Sequence, residues 1–147
     1  MCSLGIGITC ALLPATTTYT QEISDNPVIE EQISVPELIV KRAKEYGVDP
    51  VLSLAIARAE NSEFNPEAKN PNSSASGVYQ YLDGTFKGFC MEQYKLTQDF
   101  SQKNNPNIQI ACFMRMIQDG KESHWNESKP VWEKLIIQLQ AKQSLLP

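Results

Sequence analysis

One apolar run, residues 51–60, most constrains what this chain can fold into. Seven of its ten residues are apolar, and the run ends in a glutamate, Glu60. Helical spacing places Leu52, Ile56 and Glu60 on one face, with Arg58 nearly opposite. We therefore predict a helix that protein surrounds on most sides, with a carboxyl group in its last turn.

The predicted position of Glu60 favours an unusual carboxyl group. Burial on an apolar face disfavours the charged form, and the negative end of the helix dipole acts in the same direction. A carboxyl group that stays protonated near neutral pH is what a general acid requires. The helix alone leaves the alternative that Glu60 is a solvated surface residue.

The neighbouring segments carry an ordered set of short motifs. Residues 46–50 read Tyr-Gly-Val-Asp-Pro, residues 55–70 read Ala-Ile-Ala-Arg-Ala-Glu-Asn-Ser-Glu-Phe-Asn-Pro-Glu-Ala-Lys-Asn, residues 74–80 read Ser-Ala-Ser-Gly-Val-Tyr-Gln, and residues 84–86 read Gly-Thr-Phe. In this order and spacing they resemble the lytic transglycosylase catalytic domain of the goose-type-lysozyme-like superfamily. The resemblance implies an all-α, lysozyme-like helical domain, with at most a short β segment near residues 78–82.

The resemblance also implies which residues form the site. Glu60 would be the catalytic residue, and substrate would be bound by Ser76, Gly77, Tyr79, Gln80 and Trp125. An extended segment would place Val78 and Gln80 on one side and Tyr79 and Tyr81 on the other. The alternative for either tyrosine is an ordinary core aromatic.

The chain departs from the family in one place. The family carries a late tyrosine that hydrogen-bonds the catalytic glutamate, but no tyrosine follows Tyr94 here. The corresponding region, residues 120–132, offers Trp125 as a stacking platform and either Ser128 or His124 as a polar group. The sequence leaves open what holds Glu60 in place.

The activity implied by the resemblance is peptidoglycan cleavage between N-acetylmuramic acid and N-acetylglucosamine. Glu60 would act as general acid and then as base, leaving 1,6-anhydro-muramic ends, and neither a metal nor a cofactor would take part. Two alternatives stay open: a hydrolytic muramidase (lysozyme) on the same fold, and a non-catalytic glycan-binding or secretion-accessory module. The missing late tyrosine favours the non-catalytic module.

The 147-residue chain divides into three predicted parts. Residues 1–21 are uncharged and include an apolar stretch, residues 4–13, which predicts a signal peptide although a basic start is absent. That stretch is too short for an ordinary membrane span, so we expect no stable membrane insertion after signal removal. Residues 22–35 are a predicted linker and residues 36–147 the catalytic domain. We expect a secreted or periplasmic protein of the cell envelope.

The net charge limits which partners are expected, and the histidine and cysteine content limits which metal site or disulfide is expected. A net charge of −4 argues against nucleic acid and leaves peptidoglycan glycan strands as the expected partner of a monomer. One histidine cannot complete a zinc site. In an exported protein, Cys90 and Cys112 would form a disulfide, and the alternative is two buried free thiols.

The predicted layout is helical from residue 36 onward. Proline and capping signals predict helices over residues 36–46 and 50–60, the second capped by Asp49. Three further helices are predicted. The first runs from Gly84 to about Lys95 with Asp83 as cap, and the second from Asn107 through Met116 to a stop at Gly120. The third starts at Pro130 and faces the core with Val131, Leu135, Ile136 and Leu139.

A two-carboxylate glycosidase would need a partner for Glu60, and Asp83 and Glu63 are the nearest candidates. We interpret Asp83 as a helix cap and Glu63 as a loop charge.

Overall fold

The computed structural model describes residues 33–144 and is helical over most of that range. The α-helices are α1 (Val35–Tyr46), α2 (Pro50–Glu60), α3 (Asp83–Thr85), α4 (Pro106–Gln118) and α5 (Lys129–Gln143). A π-helix (Phe86–Gln93) continues α3, and short 3-10 helices (Phe100–Asn104 and Glu122–Trp125) precede α4 and α5. The predicted all-α, lysozyme-like class is confirmed, while the predicted signal peptide and nearly all of the predicted linker lie outside the described residues.

The first two helices begin and end where local signals predict. Ser34 and Glu37 form a capping box at the start of α1, and Gly47, at a φ of 67°, ends it. Asp49 accepts a hydrogen bond from the backbone N–H of Val51 at the start of α2. These side chains satisfy backbone groups that a helix end leaves unpaired, which fixes the direction in which α2 leads to Glu60.

The third predicted helix differs from the prediction in its helix type and in the residue that caps it. After three α-helical residues the backbone changes to a π-helix, in which Tyr94 N donates to Phe89 O at 2.8 Å. Asp83 lies inside the helical segment rather than capping it, and its carboxylate pairs with Lys103 at 2.7 Å. The predicted capping role of Asp83 is therefore wrong, because its carboxylate forms an ion pair with Lys103 and does not cap the helix.

The last helix faces the core with a different side from the one predicted. Val131 was expected in the core, but it is about half exposed, whereas Trp132 is buried. The Trp132 indole N–H donates to the Trp125 backbone oxygen at 3.1 Å, which turns Trp132 inward. Val131, one residue earlier on the helix, then points to solvent. The prediction holds better for Leu135, Ile136 and Leu139, which pack partly buried against the core.

The segment from 69 to 81 contains isolated β-bridges and turns instead of a strand. Ser76 forms bridges with Lys69 and with Tyr81, and Gln80 has a φ of 49°. The predicted extended run over Val78–Tyr81 is therefore wrong, and with it the alternation of sides. Val78, Tyr79 and Tyr81 are all buried. The turn folds the chain back beneath the end of α2.

Helix α4 runs through the core and supports that turn. Ile110, Phe113, Met114 and Met116 are fully buried, and the Phe113 ring stacks on the Tyr79 ring with centroids 3.9 Å apart. Within residues 33–144, the helices are too short or too polar to cross a membrane.

A disulfide ties the π-helix to α4. Cys90 and Cys112 are bonded, with Cα atoms 5.3 Å apart. The predicted pairing of these two cysteines is confirmed, and the alternative of free thiols is not what the structure contains.

Candidate active site

Glu60 ends α2 at the edge of an open groove of about 680 Å³. The next residue, Asn61, is extended and caps the helix through its backbone N–H. The Asn61 amide nitrogen donates to the backbone oxygens of Asn65 and Gly77, at 2.6 and 3.3 Å. The end of α2 is thus fastened to the loop and to the turn that follow it. This fastening sets the position from which Glu60 faces the groove.

Three parts of the chain line the groove. They are Glu60, the loop residues Asn70, Ser73, Ala75, Gln80 and Leu82, and the whole of residues 123–128.

The environment of Glu60 raises the pKa of its carboxyl group above the ordinary value. Burial is the main cause, because it penalises the charged form, and the negative charge of Glu127 acts in the same direction. The hydrogen bond from Ser128 opposes them by stabilising the carboxylate. The expected direction of the pKa shift is confirmed, so Glu60 retains its proton to higher pH than a solvated glutamate.

Ser128 is the hydrogen-bond partner of Glu60. Its hydroxyl donates to Glu60 Oε1 at 2.5 Å and also lies 3.1 Å from the backbone oxygen of Trp125. Of the two polar groups that the sequence offered for this region, the structure brings Ser128 to the carboxyl. His124 instead packs its ring edge-on against Phe89, with centroids 5.0 Å apart, and lies on the groove's rim.

Gln80 is the predicted substrate-binding residue that most clearly lies on the groove. Its side chain is partly buried, and its amide nitrogen donates to the backbone oxygens of Gly77 and Ala68, at 2.8 and 3.3 Å. These bonds hold the amide group in one orientation beside the groove. Its left-handed backbone conformation is part of the turn that replaces the predicted strand.

Trp125 reaches the groove but belongs mainly to the core. Only 4% of it is exposed, and its indole N–H donates to the backbone oxygen of Tyr79 at 3.1 Å. Its ring meets Phe113 edge-on, with centroids 4.9 Å apart. The expected open stacking platform is therefore wrong in this form, because protein covers almost all of the ring.

Tyr79, Ser76 and Gly77 do not line the groove. Tyr79 is fully buried and its hydroxyl donates to the Ser53 backbone oxygen, so its expected place on the groove wall is wrong. Ser76 donates its hydroxyl to Asn104 Oδ1 at 2.7 Å. Gly77 has a φ of 84°, and a Cβ there would lie 2.0 Å from Gln109 Nε2. These three residues shape the turn behind the groove.

Gln109 is a supporting residue that the sequence reasoning missed. It is fully buried on α4, and its Oε1 accepts from the Tyr79 backbone N–H at 3.1 Å. Its amide nitrogen donates to the backbone oxygens of Ser76 and Lys103. One side chain therefore pairs two backbone groups of the turn and one of the 3-10 helix before α4. A polar residue within an apolar helical run was the available signal.

Glu127 is a groove residue that the sequence reasoning also missed. It is exposed, lines the groove, and is close enough to raise the pKa of Glu60. The available signal was its place beside Ser128, in the region where the family carries its late motif. The two predicted candidates for a second carboxylate, Asp83 and Glu63, are not groove residues. Within residues 33–144, no three His, Cys, Asp or Glu side chains converge as metal ligands would.

Comparison with known proteins assigns the family. Searches of curated proteins and of solved structures found no match. The family model described as the transglycosylase SLT domain matches residues 37–129, which is more than half of the chain and includes most of α1 together with α2, the turn, α4 and Ser128. The chain therefore belongs to the transglycosylase SLT domain family.

Proposed function

We propose that this protein is a peptidoglycan lytic transglycosylase in which Glu60 serves as general acid and then as general base. Membership of the SLT domain family indicates a transglycosylase-type, glycan-cleaving function in general. The finer assignment is carried by one observation: a half-buried carboxyl group of raised pKa at the edge of an open groove of about 680 Å³. We further propose that the protein acts as a monomer in the cell envelope, either in the periplasm or after secretion.

The proposed reaction needs a single carboxyl group. Protonated Glu60 gives its proton to the glycosidic oxygen between N-acetylmuramic acid and N-acetylglucosamine, and the bond from that oxygen to C1 of muramic acid breaks. The 2-acetamido group of the substrate stabilises the positive charge that develops at C1. Glu60, now a carboxylate, takes the proton of the C6 hydroxyl, whose oxygen bonds to C1. The products are a free sugar hydroxyl and a 1,6-anhydro end.

We propose that Ser128 is the positioning residue for Glu60. A hydroxyl has one proton, so it donates to one acceptor at a time. When Glu60 is a carboxylate, the hydroxyl donates to Oε1, and when Glu60 is protonated the hydroxyl can turn to the Trp125 backbone oxygen 3.1 Å away. Both protonation states of the cycle therefore leave the Ser128 proton paired. We propose that this hydroxyl takes the role of the family's late tyrosine.

A hydrolytic muramidase is the second candidate, and Glu127 is the observation that favours it. A second carboxylate in the groove could take a proton from water while Glu60 protonates the glycosidic oxygen. The reducing ends formed in that reaction would distinguish it from the anhydro ends of the first. A glycan-binding module without turnover is less well supported, because Ser128 supplies the polar contact to Glu60 that the missing tyrosine had put in doubt.

Replacement of Glu60 by glutamine tests the proposal directly. Glu60→Gln keeps the side-chain shape but removes the titrating proton, so turnover of isolated peptidoglycan should fall by a factor on the order of 10² or more. Binding to the same material should persist. Mass spectrometry of the released fragments should show anhydro ends for the wild type.

The matched control is Glu67→Gln, which makes the same change at an exposed loop position. It should cleave as the wild type does. Near wild-type cleavage by Glu60→Gln would remove Glu60 from the mechanism. Reducing ends in place of anhydro ends would select the muramidase, and binding without products from the wild type would select the binding module.

A further inference from the structure

Asn61 is a buried polar residue to which the proposed reaction gives no role. It follows Glu60 directly, only 8% of it is exposed, and it is not a residue of the groove lining. A buried amide group is normally paired, because leaving its donors unsatisfied costs free energy. The partners of Asn61 therefore show what an asparagine at this position holds together.

The Asn61 side chain joins two segments that follow the acid. Its amide nitrogen donates to the backbone oxygens of Asn65, in the loop, and of Gly77, in the turn of residues 76–81, at 2.6 and 3.3 Å. Its backbone N–H donates to Ala57 O at 2.9 Å, and its backbone oxygen accepts from the Phe64 N–H at 3.0 Å. The residue after the acid is thus held to α2, to the loop and to the turn.

The Gly77 backbone oxygen is shared by two side chains. It accepts from Asn61 and also from Gln80 Nε2, which lies 2.8 Å away. Gln80 lies on the groove wall, and Glu60 lies at the groove's edge. One backbone oxygen therefore connects the segment that carries the acid to the segment that carries Gln80.

The turn has a second support, whereas the end of α2 depends on Asn61 for its tie to the turn. Gln109 binds the turn from α4, through the backbone of Ser76 and of Tyr79. Within residues 33–144, Asn61 makes the only side-chain hydrogen bond from the last turn of α2 to residues 76–81. Loss of the Asn61 amide should therefore release the end of α2 and leave the turn in place.

We propose that Asn61 is a positioning residue, which sets the place of the Glu60 carboxyl group relative to the groove wall. The proposal rests on the proposed function, since it assumes that Glu60 is the acid. A general acid must lie within hydrogen-bond reach of the atom that it protonates, so a small displacement of the end of α2 slows the chemical step. Binding of the glycan through the groove wall is retained, because the turn stays in place.

Asn61→Ala, which removes both side-chain bonds, tests the proposal. On isolated glycan strands, kcat should fall on the order of 10–100-fold while KM stays within about threefold of the wild-type value. Circular dichroism confirms that each variant is folded at the assay temperature. Asn107→Asp, at an exposed position on α4, and Ile39→Val, in the core of α1, are the controls and should change neither constant.

Asn61→Asp distinguishes positioning by the amide donors from a loss of packing. It keeps the shape of the side chain but turns a carboxylate towards two backbone oxygens, so at neutral pH it should be at least as slow as Asn61→Ala. Once protonated, the introduced carboxyl group can donate one hydrogen bond. The ratio of its kcat to the wild-type kcat should therefore rise as the pH falls, whereas the ratio for Asn61→Ala should stay constant.

Three results would overturn the proposal: an unchanged kcat in Asn61→Ala, a rise in KM in place of the fall in kcat, or a ratio for Asn61→Asp that does not depend on pH. Amide hydrogen exchange gives a readout that does not need cleavage. The backbone N–H groups of residues 60 and 61 should exchange roughly tenfold faster in Asn61→Ala than in the wild type. If the wild type does not cleave, the enzymatic assignment fails, and equal exchange rates would then overturn the positioning role as well.

Discussion

At the residue scale, two neighbours act on Glu60 in opposite directions. The hydroxyl of Ser128 lowers the pKa of the carboxyl group, and the charge of Glu127 raises it, while burial sets the overall upward shift. The two neighbours are consecutive in the sequence, so this part of the chain tunes the proton affinity of the acid. The balance can be tested one residue at a time.

We predict that substitutions at the two neighbours move the pH profile in opposite directions. Ser128→Ala removes a bond that favours the carboxylate, so the pKa of Glu60 should rise further. Glu127→Gln removes a repelling charge, so that pKa should fall. Because a general acid works only while protonated, the alkaline limb of kcat should move to higher pH in the first variant and to lower pH in the second.

The measurement is turnover of isolated glycan strands across a pH series. Loss of the positioning contact in Ser128→Ala should also reduce turnover at the optimum, by up to about 10²-fold. Ser128→Thr keeps a hydroxyl and should restore both the rate and the limb. Ser144→Ala, at the exposed far end of α5, is the control and should change neither. An alkaline limb that stays in place in Ser128→Ala would show that Ser128 does not act through Glu60.

The sequence predicts Glu60 directly and narrows its partner to two residues, Ser128 and His124. Glu60 stands out because a carboxylate closes an apolar helical run, which is a local pattern. Its partner Ser128 lies 68 positions away, and the resemblance offers it together with His124 without deciding between them. Only packing α5 against α2 brings the two side chains together.

At the element scale, the turn over residues 76–81 depends on α4. Gln109 binds the turn through the backbone of Ser76 and of Tyr79, and it fills the space that a side chain at position 77 would need. This turn also places Gln80 on the groove wall. Helix α4 thus determines the shape of the groove from behind.

We predict that Gly77→Ala destabilises the fold. The new Cβ would lie 2.0 Å from Gln109 Nε2, at a φ of 84° that side chains rarely adopt. Overpacking and backbone strain each cost about 1–3 kcal/mol, so the free energy of unfolding should fall by roughly 2–6 kcal/mol. Urea denaturation measures the change.

Gly84→Ala is the matched control for that experiment. A Cβ at position 84 meets no heavy atom within 4 Å, and the residue lies in α3. Its unfolding free energy should stay within about 0.5 kcal/mol of the wild-type value. Equal effects at positions 77 and 84 would contradict the role assigned to Gln109.

The helices could be predicted from the sequence, but the turn could not. Capping side chains, prolines and Gly47 act within a few residues, so α1, α2 and α4 begin and end close to their predicted positions. The turn is held by Gln109, 30 positions after Tyr79, and this overrides the alternation that favoured a strand. Asp83 shows the same effect, because Lys103 takes the carboxylate that was expected to cap a helix.

At the scale of the whole molecule, the disulfide links the π-helix to the helix that supports the site. Cys90 and Cys112 close a loop with a sequence separation of 22, for which the chain-entropy estimate is roughly 3 kcal/mol of stability. The bond joins the π-helix to α4, whose Gln109 and Phe113 contact Tyr79 in the turn behind the groove. Its contribution is therefore to the scaffold and not to the chemistry.

We predict that reduction lowers the melting temperature without abolishing the site. Calorimetry in a thiol reductant should show a fall of about 10 °C for the wild type. The double variant Cys90→Ala with Cys112→Ala should melt near the temperature of the reduced wild type, and the reductant should not change it further. A melting temperature that is the same with and without reductant in the wild type would show that the bond does not stabilise the fold.

The indole groups of the chain give the site an optical property. The chain contains two tryptophans, Trp125 and Trp132, and the indole N–H of Trp132 binds the backbone oxygen of Trp125. Trp125 borders the groove, and its backbone oxygen also lies beside Ser128. Both fluorophores therefore lie in one hydrogen-bonded segment next to the acid. Ultraviolet emission from this protein reports on the surroundings of Glu60 without an added label.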